Sequence, residues 1–127
     1  IEELEKKYEI EDYGTYSGES VDYPDYAFIL GENVVNKNVD FGVAICGSGI
    51  GISIACNKVK GIFCAKVSNK EEAYYTRNDN NSNIVAFSEK TNKEEALEIV
   101  KTFVETPFSN EERHLRRINK IKEYEAK

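Results

Sequence analysis

No methionine occurs in the 127 residues, His114 is the only histidine, and cysteine is limited to Cys46, Cys56 and Cys64. Each scarcity excludes something. Three cysteines are an odd number without C-x-x-C spacing, which argues against a disulfide framework and a zinc site and suits a reducing, cytoplasmic setting. The longest uncharged stretch, Phe41 to Asn57, is broken by four glycines, so neither a transmembrane helix nor a signal segment is expected. Basic residues are in deficit. Lys and Arg number 17 against 23 Asp and Glu, and the net charge of −6 disfavours general nucleic-acid binding. A translated frame opens on Met and this one opens on Ile1, so the expectation is a piece of a longer product.

The charge that is present is unevenly placed. Nine acids fall in residues 1–26 against Lys6 and Lys7, whereas Arg113, Arg116, Arg117, Lys120, Lys122 and Lys127 crowd the last stretch. A basic end on an acidic chain either faces solvent or meets a specific anion.

Short apolar runs at Phe41–Cys46, Gly61–Val67 and Asn83–Phe87 read as buried strands. A further short strand is expected near Glu9–Tyr13. Between the runs lie helical start signals: Ser68 with Glu71, Thr91 with Glu94, and Ser109 with Glu112 each match the S/T-x-x-E capping box. The helix after Thr91 carries Ala96, Ile99, Val100, Phe103 and Val104, the spacing of one buried face. Pro24 opens a helix with Ala27, Leu30 and Val34 on its apolar side, ended by Asn36 to Asp40, and Ile1–Tyr8 reads as the back half of another. Strands alternating with helices predict one α/β domain over residues 1–127, a doubly wound parallel sheet with helices on both faces. A chain of this class that starts on a helix is expected to lack its first strand, which usually lies inside the sheet.

The densest segment runs from Ala44 to Lys58. It leaves a strand, passes Gly47, Gly49 and Gly51, and opens a helix, the position where ligands sit in open α/β sheets. Glycines there let backbone N–H groups face an oxyanion at a helix N-terminus. Neither G-x-G-x-x-G nor the P-loop pattern is met, so the pattern alone describes an anion-binding loop or a tight strand-to-helix turn. Cys46 stands immediately before the loop, where oriented amides favour a thiolate. Cys56 and Cys64, within a helix and a strand, read as structural thiols.

Four motifs in fixed order make the chain resemble the type B ribose-5-phosphate isomerases and the related galactose-6-phosphate isomerase subunits. They are Asp22-Tyr-Pro-Asp25, Cys46-Gly-Ser-Gly-Ile-Gly through Lys58, Arg77-Asn-Asp-Asn-Asn-Ser-Asn83, and Arg113-His-Leu-Arg-Arg117, spanning about Glu9 to Lys122. The resemblance implies a Rossmann-like fold, a dimer or tetramer, no metal or organic cofactor, and aldose–ketose isomerisation of a sugar phosphate through an enediolate. It makes Cys46 the base and the Gly47, Gly49 and Gly51 amides with Ser48 the donors to the developing charge. Tyr23 lines the sugar site and Asn80 hydrogen-bonds the substrate. Arg113 and Arg117, i and i+4 on one helix face with His114 close by, serve phosphate in a partner subunit's site, so segment 108–127 is expected to pack on that partner.

Three departures accompany the resemblance. The family's Asp-His pair at the end of its first strand has no counterpart. Asp79 stands where the ribose isomerases usually carry a ring-opening histidine, and a carboxylate is a poorer proton donor at neutral pH. Ring opening then uses another group, or the substrate differs, or activity is low; by residue type alone Asp79 is a loop cap. Lys90 replaces an arginine that commonly contacts phosphate and loses its bidentate fork. The reading is therefore a ribose 5-phosphate isomerase. The alternatives are a galactose or allose 6-phosphate isomerase and a non-catalytic sugar-phosphate-binding protein.

Overall fold

The middle strand decides the layout. In the computed structural model, which describes residues 1–14 and 22–127, β3 (Ile84–Ser88) lies between β1 (Gly42–Cys46) and β2 (Cys64–Lys66), and both pairings are parallel. β3 has no polar side chain before Ser88 and is buried on both sides, as a strand covered on two faces must be. Ile84 and Ala86 face one layer, formed by α2 (Tyr23–Val35) and α3 (Ile50–Asn57) with Ala27, Ile52, Ala55 and Cys56. Val85 and Phe87 face the other, formed by α4 (Lys70–Asn80) and α5 (Lys93–Glu105) with Ala73, Ile99, Val100 and Phe103. The doubly wound parallel fold is thus as expected.

α6 (Glu112–Glu125) joins neither layer. It starts against α4 and ends where Glu125 accepts a hydrogen bond from the Gly61 amide, so it runs below the edge at which the strands begin. Only His114 and Ile118 of α6 are buried, while Leu115, Ile121 and Tyr124 are exposed. No helix among the described residues is long and apolar enough to cross a membrane.

Several local expectations are corrected. The expected strand at Glu9–Tyr13 does not form, because a ladder needs a partner and none of the described strands runs beside these residues. The helix expected over Ile1–Tyr8 shrinks to α1 (Glu2–Glu5). The strand at Gly61–Val67 is reduced to Cys64–Lys66, since Gly61 takes a positive φ of 93° and Phe63 bonds to the Asn83 side chain. The helices after Ser68 and Thr91 form, but one residue later than the boxes indicate. Asn69 accepts from the Glu72 amide and Asn92 from the Glu95 amide, because asparagine caps at least as well as serine or threonine. At the third box Ser109 accepts from Glu111 instead and lies outside the helix.

Arg77 is the least expected core residue. It is 7% exposed, and burial pulls its guanidinium below its ordinary pKa. No carboxylate partners it among the described residues. It donates to the carbonyls of Thr106 and Ser82 and to the Asn81 side chain, and its plane lies 4.9 Å from the Phe41 ring and 5.8 Å from Phe103. The fork thereby ties the end of α4 to the end of α5. Arg77→Lys keeps the charge but cannot make these bonds together, and is expected to cost about 2–4 kcal/mol in urea denaturation. An unchanged midpoint would show that the fork carries no stability.

Candidate active site

Strand direction sorts the expected site residues into two groups. At the edge where the strands end stand Cys46, the glycine loop, Tyr23 and Lys90. Gly49 adopts φ 82°, a left-handed conformation that favours glycine, and a Cβ there would lie 2.7 Å from the Phe87 backbone. With the loop so folded, the Gly49 amide donates to Cys46 Sγ at 3.3 Å and the Ile50 amide to Ser48 Oγ at 3.1 Å. The first turn of α3 leaves the N–H groups of Gly51 and Ile52 without a helical acceptor, as every helix start does. A Cβ on Gly51 would meet Tyr23 Cζ and Oη at 2.7 Å, so the phenol rests directly on the loop. The Asp22-Tyr23-Pro24 turn and the glycine loop therefore meet in space.

Two further residues hold this edge together and carried no signal in the sequence. Ser88 Oγ donates to the Gly47 carbonyl at 2.7 Å and accepts from the Lys90 amide at 3.1 Å, and the Glu89 amide donates to the Cys46 carbonyl at 2.9 Å. Lys90, itself exposed, is thus fixed by its backbone beside the loop. A polar residue directly after an apolar strand is too common to mark either position.

The second group lies at the opposite edge. α4 leaves the end of β2 and runs back, so Asp79 and Asn80 in its last turn sit where β3 begins. Asp79 is therefore helical and not a loop cap; Asn81, at φ 51°, ends the helix. Arg113 and Arg117 are exposed on α6, with Arg113 3.7 Å from Glu111. His114 does not share their outward face as expected. It is 9% exposed and turns inward, its Nε2 3.5 Å from Asp79 Oδ1 and 3.4 Å from Glu111 Oε2. Asn83 and Glu89 are six residues apart along β3, roughly 20 Å at the rise of an extended chain. One chain cannot bring Asn80 to Cys46. Two concavities among the described residues, one along α6 at Leu115, Arg116 and Asn119 and one beside Tyr74 and Tyr75, also lie away from Cys46.

Comparison with known proteins agrees with the motif reading. A model of the Ribose/Galactose Isomerase family matches residues 1–121. A Bacillus subtilis protein whose name specifies a sugar phosphate isomerase but no sugar is 47% identical over 131 residues, covering 100% of this chain and 87% of its own. Ribose-5-phosphate isomerase B of Escherichia coli is 39% identical over 102 residues, 80% of this chain and 66% of that one. Among solved structures, ribose-5-phosphate isomerase B of Clostridium thermocellum superposes with a TM-score of 0.93 at 42% identity, covering 98% and 85% of the two chains. The Mycoplasma genitalium enzyme with bound ribulose-5-phosphate gives 0.92 at 36% identity over 99% and 85%.

The three thiols differ in reach. Cys46 is half-buried at the loop, Cys56 is buried, and the Cys64 thiol is pushed far up by hydrogen bonding to the Cys56 thiol and by burial. A raised pKa leaves less thiolate at any given pH, and the thiolate is the form that alkylates. Limiting iodoacetamide at pH 8, read by peptide mass spectrometry, is expected to label Cys46 before Cys64 and Cys56. Labelling of Cys64 first would contradict this ordering.

Proposed function

The chain belongs to the Ribose/Galactose Isomerase family, and we propose that within it the chain interconverts ribose 5-phosphate and ribulose 5-phosphate. The observation that carries this reading is the Cys46 sulfur at the mouth of a glycine loop, accepting from the Gly49 amide. The relatives named for this reaction, and the one solved with ribulose-5-phosphate, support it. As base, the Cys46 thiolate takes the C2 proton of the open-chain aldose. The electron pair moves into the C1–C2 bond and charge collects on the sugar oxygens, where Ser48 and the amides of Gly47, Gly49 and Gly51 meet it. Return of the proton to C1, with the hydroxyl proton passing from the C2 oxygen to the C1 oxygen, yields the ketose with no net redox change. Tyr23 flanks the sugar.

Phosphate and the far end of the sugar need Asn80, Arg113 and Arg117, with Asp79 beside them, and these belong to the other edge. The reading therefore requires a second copy of the chain, placed with its strand-start edge over the first copy's glycine loop. Lys90 then adds a cation from the Cys46 side. The exposed Leu115, Ile121 and Tyr124 give segment 108–127 an apolar surface suited to packing on that copy, as a homodimer or a tetramer made of dimers. Free thiols at all three cysteines fit a cytoplasmic metabolic enzyme, in the pentose phosphate pathway.

Asp79 favours one alternative, a hexose 6-phosphate such as galactose or allose 6-phosphate, and kcat/KM for the two sugar classes decides between them. In a coupled assay of ribose 5-phosphate turnover, Cys46→Ala is expected to lower kcat by roughly 10²–10⁴-fold, the usual worth of a positioned base. Wild-type protein that binds sugar phosphates without exchanging the C2 proton would replace the isomerase with a binding protein.

A further inference from the structure

We infer that His114 is a positioning residue that clamps the Asp79-Asn80 turn to the start of α6, and so holds Asn80 and Arg113 in one arrangement. The inference rests on the proposed division of the site between two copies. His114 is 9% exposed, yet its Nε2 has no aligned hydrogen-bond partner among the described residues. What faces that nitrogen is two carboxylate oxygens from two separate elements, Asp79 Oδ1 of α4 at 3.5 Å and Glu111 Oε2 ahead of α6 at 3.4 Å. Carboxylates accept and do not donate when ionised, so the two oxygens together favour a hydrogen on the Nε2 that faces them.

The surrounding bonds show what the clamp connects. The Asn78 side chain donates to the same Asp79 oxygen at 2.8 Å, and the Ser109 amide donates to the Asn78 carbonyl at 3.1 Å. The His114 amide donates to the Glu111 carbonyl at 3.0 Å, and the Glu111 carboxylate also faces Arg113 at 3.7 Å. Asp79 is next to Asn80, and His114 is next to Arg113. The imidazole therefore sits between the neighbours of two residues that must reach one ligand, 33 positions apart in sequence. Its burial and orientation assign it to that linkage, in place of direct phosphate contact.

The expected signature is a split between binding and chemistry. His114→Ala should raise KM for ribose 5-phosphate roughly tenfold or more, the worth of a lost buried polar contact, and lower kcat far less, because Cys46 lies at the other edge. His114→Gln, whose amide N–H falls near the lost Nε2–H, should restore most of KM. Hydrogen exchange gives a readout independent of turnover: segments 78–83 and 109–114 should exchange faster in His114→Ala, with β1 to β3 unchanged. Glu111→Gln, at an exposed carboxylate, should loosen the same two segments and serves if His114→Ala does not fold. Unchanged exchange in both segments, or a glutamine variant as impaired as the alanine one, would overturn the clamp. A wild-type chain that turns over no ribose 5-phosphate would defeat the proposed activity, while the exchange experiment would still decide the clamp.

Discussion

The three strands among the described residues all run the same way, and that single fact divides the candidate site residues. A loop that follows a strand and a loop that precedes one cannot share an edge of a parallel sheet. Cys46 ends β1 and Lys90 follows β3, whereas Asn80 precedes β3. α6 crosses beneath the edge where the strands start and so keeps Arg113 and Arg117 with Asn80. The fold thus places two groups of candidate residues at opposite edges, Cys46 with the glycine loop at one, and Asn80 with two guanidinium groups at the other. Under the proposed function, assembly of two copies is then a condition for chemistry and not an addition to it.

Each half-site is rigid for its own physical reason. At the Cys46 edge the constraint is steric: Gly49 is pressed to the Phe87 backbone and tolerates no Cβ, and Gly51 lets the tip of the Tyr23 ring rest on the loop. Ser88 then fastens the loop to the next strand-to-helix turn. At the Asn80 edge the constraint is polar. Arg77 replaces a counter-ion with two carbonyls, an amide oxygen and two aromatic faces, and His114 lies between two carboxylates. Burying such groups is costly unless they are satisfied, which makes the ends of α4, α5 and the start of α6 mutually dependent.

The layers of the fold were readable in the amino-acid sequence because they rest on local composition. Phe41–Cys46 and Asn83–Phe87 are apolar runs, and Ile99, Val100 and Phe103 recur at helical spacing. Two of the caps were misplaced by one residue because Ser68-Asn69 and Thr91-Asn92 each offer two competent oxygens, and both registers have a glutamate three positions on. The Glu9–Tyr13 strand failed for a different reason, since strand formation is a property of a pair and the partner is not local. The Cys46 half-site was legible for its compactness, loop and thiol lying side by side in sequence. The other half was legible in its residues but not its place, because which edge Asn80 occupies depends on the direction of α4. Arg77, Ser88 and the inward turn of His114 left no local pattern at all.

With Cys46 and Asn80 at opposite edges of one sheet, the two are expected to act together only across two copies. The direct measurement mixes two separately purified variants, Cys46→Ala and Asn80→Ala, each expected to be nearly inactive, after subunit exchange verified by native mass spectrometry. Random pairing makes half of the dimers mixed, each with one intact composite site, so activity should recover to roughly a quarter of the wild-type value. Mixed dimers that form but remain as inactive as the parents would place both residues in one chain's site and contradict the account.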